Sequence, residues 1–254
     1  MLQEYKAVFN PVVKEHFENL RESELSMETF SFYTSVSVVF SSKIEGEDIE
    51  LDSFIKHKRF GVEYQPDYTQ KIDGLYNAYV FAQNNDLSPE NLMQAHSLLT
   101  KNILTEKQQG QFRKGNMFVV TDDGRIEYIA ASPGEVQSEM GIFFNDLELL
   151  LNLEMDFEEV FFFASMLHLV FVKIHPFDDG NGRTVRLLEK WFLAQKLGDK
   201  AWFIQSEKGY YEKHNEYYSN IRKLGIEYEH LDYSKGLPFL QMLPYSISNN
   251  QIHK

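Results

Sequence analysis

Over most of the chain apolar residues recur at three- and four-residue spacing, which predicts a mainly α protein. Residues 1–25 read as an amphipathic helix with a polar continuation, carried by Tyr5, Val8, Phe9, Val12, Val13, Phe17 and Leu20. Residues 49–60 predict a short helix with Phe54 and Ile55 inward and Lys56-His57-Lys58-Arg59 on a solvated face. A turn at Gln65-Pro66-Asp67 then precedes a helical pattern over 68–83, with Ile72, Leu75, Tyr76, Tyr79 and Val80 on one side. Ser88 before Pro89 is a helix N-cap with proline at the first helical position, opening residues 89–104. His96 in that helix reads as packing. Pro133 starts another helix over 134–151. From Val160 to Val172 the chain is apolar on every face, which argues a helix buried at the centre of the core. Ser165, His168 and Lys173 interrupt it, and it is too short to span a membrane. His168 reads as a satisfied core histidine. An amphipathic helix from Thr184 to Gly198, a buried link at 199–205 and a tyrosine-bearing helix from Gly209 follow, and residues 236–254 read as a tail that ends polar.

Two stretches depart from this period. Between residues 26 and 46, Phe30, Phe32, Thr34, Val36, Val38 and Phe40 alternate with mostly polar residues, a strand signal. Between Met117 and Ala130, two short β-type runs flank Asp123-Gly124, a hairpin signal. A lone hairpin in a helical protein is marginal by itself, so it needs packing or binding to hold it.

The densest chemistry lies between the last two central helices, in His175-Pro176-Phe177-Asp178-Asp179-Gly180-Asn181-Gly182-Arg183. Taken singly, these residues would serve as a helix cap, a turn and a solvated face. Joined to the end of a buried helix, they describe a site. Gly180 and Gly182 let the backbone approach a ligand closely. The helix that starts here offers unpaired N–H groups and a positive dipole end, a combination that binds phosphate. Arg183 and Arg186 lie three apart on one face of that helix, suited to forked bonds with phosphate oxygens. Asp179 would repel phosphate unless Mg²⁺ bridged the two. His175 is the one group in the loop fit to take a proton near neutral pH. Together these describe phosphoryl or nucleotidyl transfer.

The run from His175 to Arg186 also resembles the signature of Fic-domain proteins, His-x-Phe-x-Asp/Glu-Gly-Asn-Gly-Arg-x-x-Arg, matching at every fixed position. The resemblance covers residues 26–235 and implies a single Fic-like helical bundle with one β-hairpin flap. It implies transfer of AMP from ATP to a Ser, Thr or Tyr hydroxyl of a target protein. His175 is then the general base, Asp179 the Mg²⁺ ligand and Phe177 the loop anchor. Gly180, Asn181 and Gly182 cradle phosphates, with Arg183 and Arg186 on the rest of the triphosphate. The hairpin, with Tyr128 and Ile129, becomes a flap along which the target binds by strand addition. Tyr217 and Tyr218 fall on a helix that helps wall the adenine. Ser41-Ser42-Lys43-Ile44-Glu45-Gly46 resembles the inhibitory-helix motif of the same family, which favours helix over strand here and implies that Glu45 pairs with Arg186. Gly46 suits the left-handed position that ends a helix. The division implied is 1–60 regulatory, 61–235 catalytic and 236–254 tail, with a homodimer as a candidate assembly.

Composition narrows the setting. Lys and Arg number 25 against 38 Asp and Glu, and the net charge of −13 argues against nucleic acid as a partner. With no cysteine, disulfides and thiolate chemistry are excluded. The N-terminal residues lack a charged-then-apolar signal, so a cytoplasmic protein without a membrane partner is expected. Transfer of another nucleotide, removal of AMP, and ATP sensing without turnover stay open as alternatives.

Overall fold

Asn10 and Pro11 split the N-terminal pattern into two helices, α1 (Leu2–Val8) and α2 (Val12–Glu18), where one was expected. Proline offers no N–H to continue a helix, and the Asn10 side chain accepts from the Val12 N–H at 3.1 Å instead. These elements belong to a computed structural model that describes residues 1–26, 31–61, 66–120 and 126–248. The stretch in which strand and helix signals compete is helical, α3 (Phe32–Ile44), opened by the Ser31 hydroxyl accepting from the Thr34 N–H at 3.2 Å. Phe30 lies outside the described residues. The alternation misleads because its polar positions are not solvated: Ser35, Ser37, Ser41 and Ser42 are buried along with Val36, Val38 and Val39. Gly46, at φ +83°, turns the chain away from the helix end as expected.

Next come α4 (Leu51–Phe60) and α5 (Pro66–Gln83). His57 and Lys58 do not sit on a solvated face, for both reach Asp73 of α5, at 3.0 and 3.1 Å. Val80, expected inward, is exposed. The Ser88 cap is present, and α6 (Pro89–Leu99) ends earlier than its pattern suggested. Strands β1 (Phe118–Val120) and β2 (Ile126–Ile129) form an antiparallel hairpin whose Asp123-Gly124 turn lies outside the described residues. Then come α7 (Val136–Asn152), α8 (Phe157–Ile174) and α9 (Asn181–Leu197). Helix α8 starts with a reciprocal capping box between Asp156 and Glu159. The tyrosine-bearing stretch is two helices, α10 (Ser206–Glu212) and α11 (His214–Arg222), broken at Lys213. Residues 237–248 are helical too, as α12 (Leu237–Leu240) and α13 (Met242–Ser248), and Phe239, Leu240 and Leu243 join the core.

Helices α8 and α9 form the centre. Leu187, Leu188, Trp191, Phe192 and Leu193 of α9 are fully buried, as are Phe161, Leu169 and Phe171 of α8. Buried polar side chains tie the surrounding helices to this pair. Lys190 donates to Glu207 at 2.6 Å, to the Ile204 carbonyl at 2.6 Å and to the Ser37 hydroxyl at 2.5 Å. Tyr79 also donates to Glu207, at 2.7 Å. One ion pair thus joins α3, α5, α9 and α10. Glu207→Ala leaves the Lys190 ammonium buried without its counter-charge and is expected to destabilise by about 3–5 kcal/mol in urea unfolding. Loss of less than about 1 kcal/mol would show that water reaches the ammonium. His168 is the satisfied core histidine expected, lying 2.8 Å from both Glu189 and the Tyr217 hydroxyl.

Candidate active site

Helix α8 ends at His175, whose φ of 52° and ψ of 60° place a non-glycine residue in the left-handed region. Such a residue needs support from its surroundings. Arg113 supplies much of it. Its Nε donates to the His175 carbonyl at 2.7 Å, and its own main-chain N–H donates to the Pro176 carbonyl at 2.9 Å. The same guanidinium donates to the carbonyls of Gly115 and Ala131, at 2.7 and 2.5 Å, which flank the hairpin. Arg113 therefore joins the hairpin's two ends to the end of α8. The imidazole Nδ1–H donates to the Val172 carbonyl at 3.2 Å, which leaves Nε2 with its lone pair. Burial pushes the His175 pKa below the ordinary histidine value, so the ring is a neutral base at neutral pH.

Beyond His175 the loop is braced from inside. Phe177 is fully buried and stacks on His96 with ring centroids 3.6 Å apart. Asn181 folds back on the loop: its Oδ1 accepts from the Phe177 N–H at 2.9 Å and its Nδ2 donates to the Phe177 carbonyl at 2.8 Å. Its side chain therefore shapes the loop and is not free for a ligand. Gly180, at φ +79°, is required twice over, since a Cβ there would meet Thr100 Cγ2 at 2.8 Å. No side chain caps the start of α9, so the main-chain N–H groups of Asn181, Gly182 and Arg183 lack intrahelical acceptors. An anion fits that position.

Carboxylates from the N-terminal segment meet both arginines of α9. Arg186, almost fully buried, donates from Nη2 to Glu45 Oε1 at 2.7 Å and to the Ser41 carbonyl at 2.9 Å, and from Nε to the Ser41 hydroxyl at 2.9 Å. A Cβ at Gly182 would run into the Glu45 carboxylate, so that carboxylate lies directly over the glycine turn. Burial alone would raise the Glu45 pKa, but Arg186 and Arg183 hold it below the ordinary carboxylate range. Arg183 lies 3.3 Å from Glu47 Oε1 and 3.2 Å from Asp179 Oδ1. Sequence reading missed Glu47. Its signal was slight, a second acid two positions after Glu45.

His175, Gly182, Glu45 and Arg186 open on one cavity of about 320 Å³. Asp179, Gly180 and Asn181 also line it, together with Lys173, Tyr218, Ile221, Arg222 and the hairpin residues Phe118, Val119 and Tyr128. Tyr217 also borders the cavity, but it is buried and its hydroxyl is engaged with His168. Tyr128 is turned inward, donating to the Lys173 carbonyl, with the Lys173 ammonium 4.0 Å from its ring centre. The Ile129 N–H donates to the Ile226 carbonyl at 2.8 Å, so β2 is the inner strand. The outer strand, β1, carries Phe118 and Val120 at 49% and 56% exposure. Among the described residues no group of three or more His, Asp or Glu side chains is gathered for a metal. Asp179, half-exposed beside the free N–H groups, is a single carboxylate of the kind that shares Mg²⁺ with phosphates and water. No helix among the described residues is long and apolar enough to cross a membrane.

The Fic/DOC family model matches residues 86–193. The chain is 31% identical over 120 residues to the protein adenylyltransferase Fic of Culex quinquefasciatus, and 32% identical over 111 residues to that of Nematostella vectensis. Those matches take in 47% and 43% of this chain but only 22% and 24% of the relatives' lengths. In fold, the chain resembles a Fic family protein from Desulfovibrio desulfuricans G20 over its whole length, with a TM-score of 0.76, 20% identity and 76% of that chain covered. Fic-1 from C. elegans matches with a TM-score of 0.67 at 17% identity, over 98% of this chain and 69% of that one.

Proposed function

From a chain that carries a Fic domain, we propose a protein adenylyltransferase, moving AMP from ATP to a Ser, Thr or Tyr hydroxyl of a target protein. The observation that carries this reading is the meeting of His175, the uncapped start of α9 and Arg186 around one cavity. The target oxygen attacks the α-phosphorus, its proton passes to His175 Nε2, and pyrophosphate leaves. The N–H groups of Asn181, Gly182 and Arg183 receive phosphate oxygens, and the two arginines orient the outer phosphates. Asp179 would hold the Mg²⁺ that arrives with ATP, an ion that supplies neutralisation of the leaving charge. The target's extended segment adds along the outer edge of β1, the side of the hairpin that Ile226 leaves open. Residues 1–60 act as the regulatory part and 61–235 as the catalytic part, in the cytoplasm. In the regulatory part, Glu45 occupies Arg186 and Glu47 occupies Arg183, so the triphosphate lacks both cationic partners.

The test is transfer of label from α-labelled ATP with Mg²⁺ in the Glu45→Gly variant, self-labelling being sufficient. Binding of MgATP with no labelled protein would replace this reading with an ATP sensor.

A pH profile gives a second check. The base works only when neutral, and burial lowers its folded pKa below the ordinary histidine value of about 6.5. The rate is therefore expected to hold as pH falls through that value and to drop only at lower pH. An acid limb centred at or above it would remove His175 as the base.

A further inference from the structure

We propose that His96 is a positioning residue for the reaction loop, clamping the main chain of Asp179 so that its carboxylate faces the incoming Mg²⁺–triphosphate. The inference rests on the nucleotidyl-transfer reading of the site. His96 lies on α6 with its ring fully buried. Its Nε2 is 3.0 Å from the Asp179 carbonyl, and the Gly110 N–H lies 2.9 Å from its Nδ1. A carbonyl only accepts and a main-chain N–H only donates. Nε2 therefore carries the hydrogen and Nδ1 the lone pair, and both ring nitrogens are engaged in a single neutral tautomer. The ring face lies on Phe177, at 16° between planes. With both nitrogens and one face engaged, the imidazole is held in a single orientation.

Two glycines show that the clamp is built by close approach. Gly110 has φ +63°, and a Cβ there would meet the Met93 carbonyl oxygen at 2.8 Å, so only glycine lets this N–H reach the ring. Gly180 crosses the end of α6 equally closely, where a Cβ would come within 3.4 Å of His96 Nε2. Three residues after Gly110, Arg113 holds the carbonyls of His175 and Pro176. The short segment 110–113 thus grips the loop at both ends, through Arg113 at His175 and through His96 at Asp179. Residue 179 must present a carboxylate at one spot: the held peptide plane sets where its Cα–Cβ bond points, and the carboxylate then accepts from the Gly180 N–H at 2.5 Å and from Arg183 at 3.2 Å.

Two conservative variants separate the two hydrogen bonds. Made in the Glu45→Gly chain, His96→Gln keeps an amide donor where Nε2 stood, toward Asp179. His96→Asn keeps an acceptor where Nδ1 stood, toward Gly110, and loses the reach to Asp179. The quantity measured is the Mg²⁺ concentration that half-saturates binding of a fluorescent ATP analogue, with Tm recorded alongside. The expected result is a value near the parent's for His96→Gln and a rise of about 10-fold or more for His96→Asn. Equal values in both variants and the parent would overturn the proposal, whatever happens to Tm. A measurement on the Glu45→Gly chain without further substitution guards against an Asn variant that does not fold. Histidine ring ¹⁵N spectra are expected to show Nε2 protonated at His96 and that signal moving on addition of ATP with Mg²⁺ but not ATP alone. The opposite tautomer, or a signal indifferent to Mg²⁺, overturns it. Because these readouts are of binding, a Glu45→Gly chain that transfers no label sinks the transfer reading and leaves the clamp to be judged separately.

Discussion

His175→Ala is expected to lower label transfer by about 10²–10⁴-fold, the usual share of a positioned general base, while MgATP binding changes little. The separation follows from where the groups lie. The triphosphate partners in the proposed reaction are main-chain N–H groups at the start of α9 and the side chains of Arg183 and Arg186. None of them passes through the imidazole. The backbone at residue 175 is held by Arg113 through the carbonyl, which alanine retains, although alanine pays a penalty at φ 52°. Measuring kcat and the ATP dissociation constant on the same preparation decides the matter. Loss of binding in step with transfer would make His175 a structural residue of the loop and not its base.

The second large effect runs in the opposite direction. Glu45→Gly should raise self-labelling by about 5- to 150-fold, the range over which a displaced contact of 1–3 kcal/mol acts. The Glu45 carboxylate lies over Gly182 and holds Arg186 at 2.7 Å, so it takes both the space and the counter-charge that a phosphate needs. Arg186 is still gripped by Ser41 after the substitution, which keeps its guanidinium in place for ATP. Arg183 is still paired with Glu47, and Glu45→Gly with Glu47→Gln should therefore exceed Glu45→Gly alone. A double variant no faster than the single one would make Glu47 a bystander. A Glu45→Gly rate at or below that of the unsubstituted chain would remove the inhibitory contact altogether.

The residues from His175 to Arg186 were legible because their chemistry is local: one loop and one helix turn bring base, carboxylate, glycines and arginines together. The Glu45 contact was legible only through a resemblance, since its partner lies 141 positions away. Arg113, Glu47 and the role of His96 were not legible, and the reason is the same in each. Their partners are 62, 136 and 83 residues distant, and no periodicity records such a contact. His96 reads as packing because no acid or histidine stands near it in sequence, and its partners in the fold are a carbonyl and a main-chain N–H. The alternation over 30–40 points to a strand because serines commonly face solvent, whereas Ser35 and Ser37 are a buried donor and a buried acceptor. At Asn10-Pro11 and Lys213, helical spacing ran across a break, as apolar faces of two successive short helices can share one period.

The burial of α3 has a mechanical consequence. Val36, Val38 and Val39 are part of the core, and Ser37 is bonded to the buried Lys190, so the helix that carries Glu45 is a structural beam and not a detachable plug. Lifting it off would expose that core and take one hydrogen-bond partner from the buried Lys190, a change on the scale of unfolding. Glu45, however, is the C-cap, 28% exposed at its side chain and followed by a glycine. Relief therefore needs only a turn about side-chain bonds at the beam's tip, a nanosecond-scale motion once the ion pair parts. Opening and the integrity of α3 are then separable quantities: in an activated chain the α3 amides should exchange with solvent about as slowly as in the inhibited one.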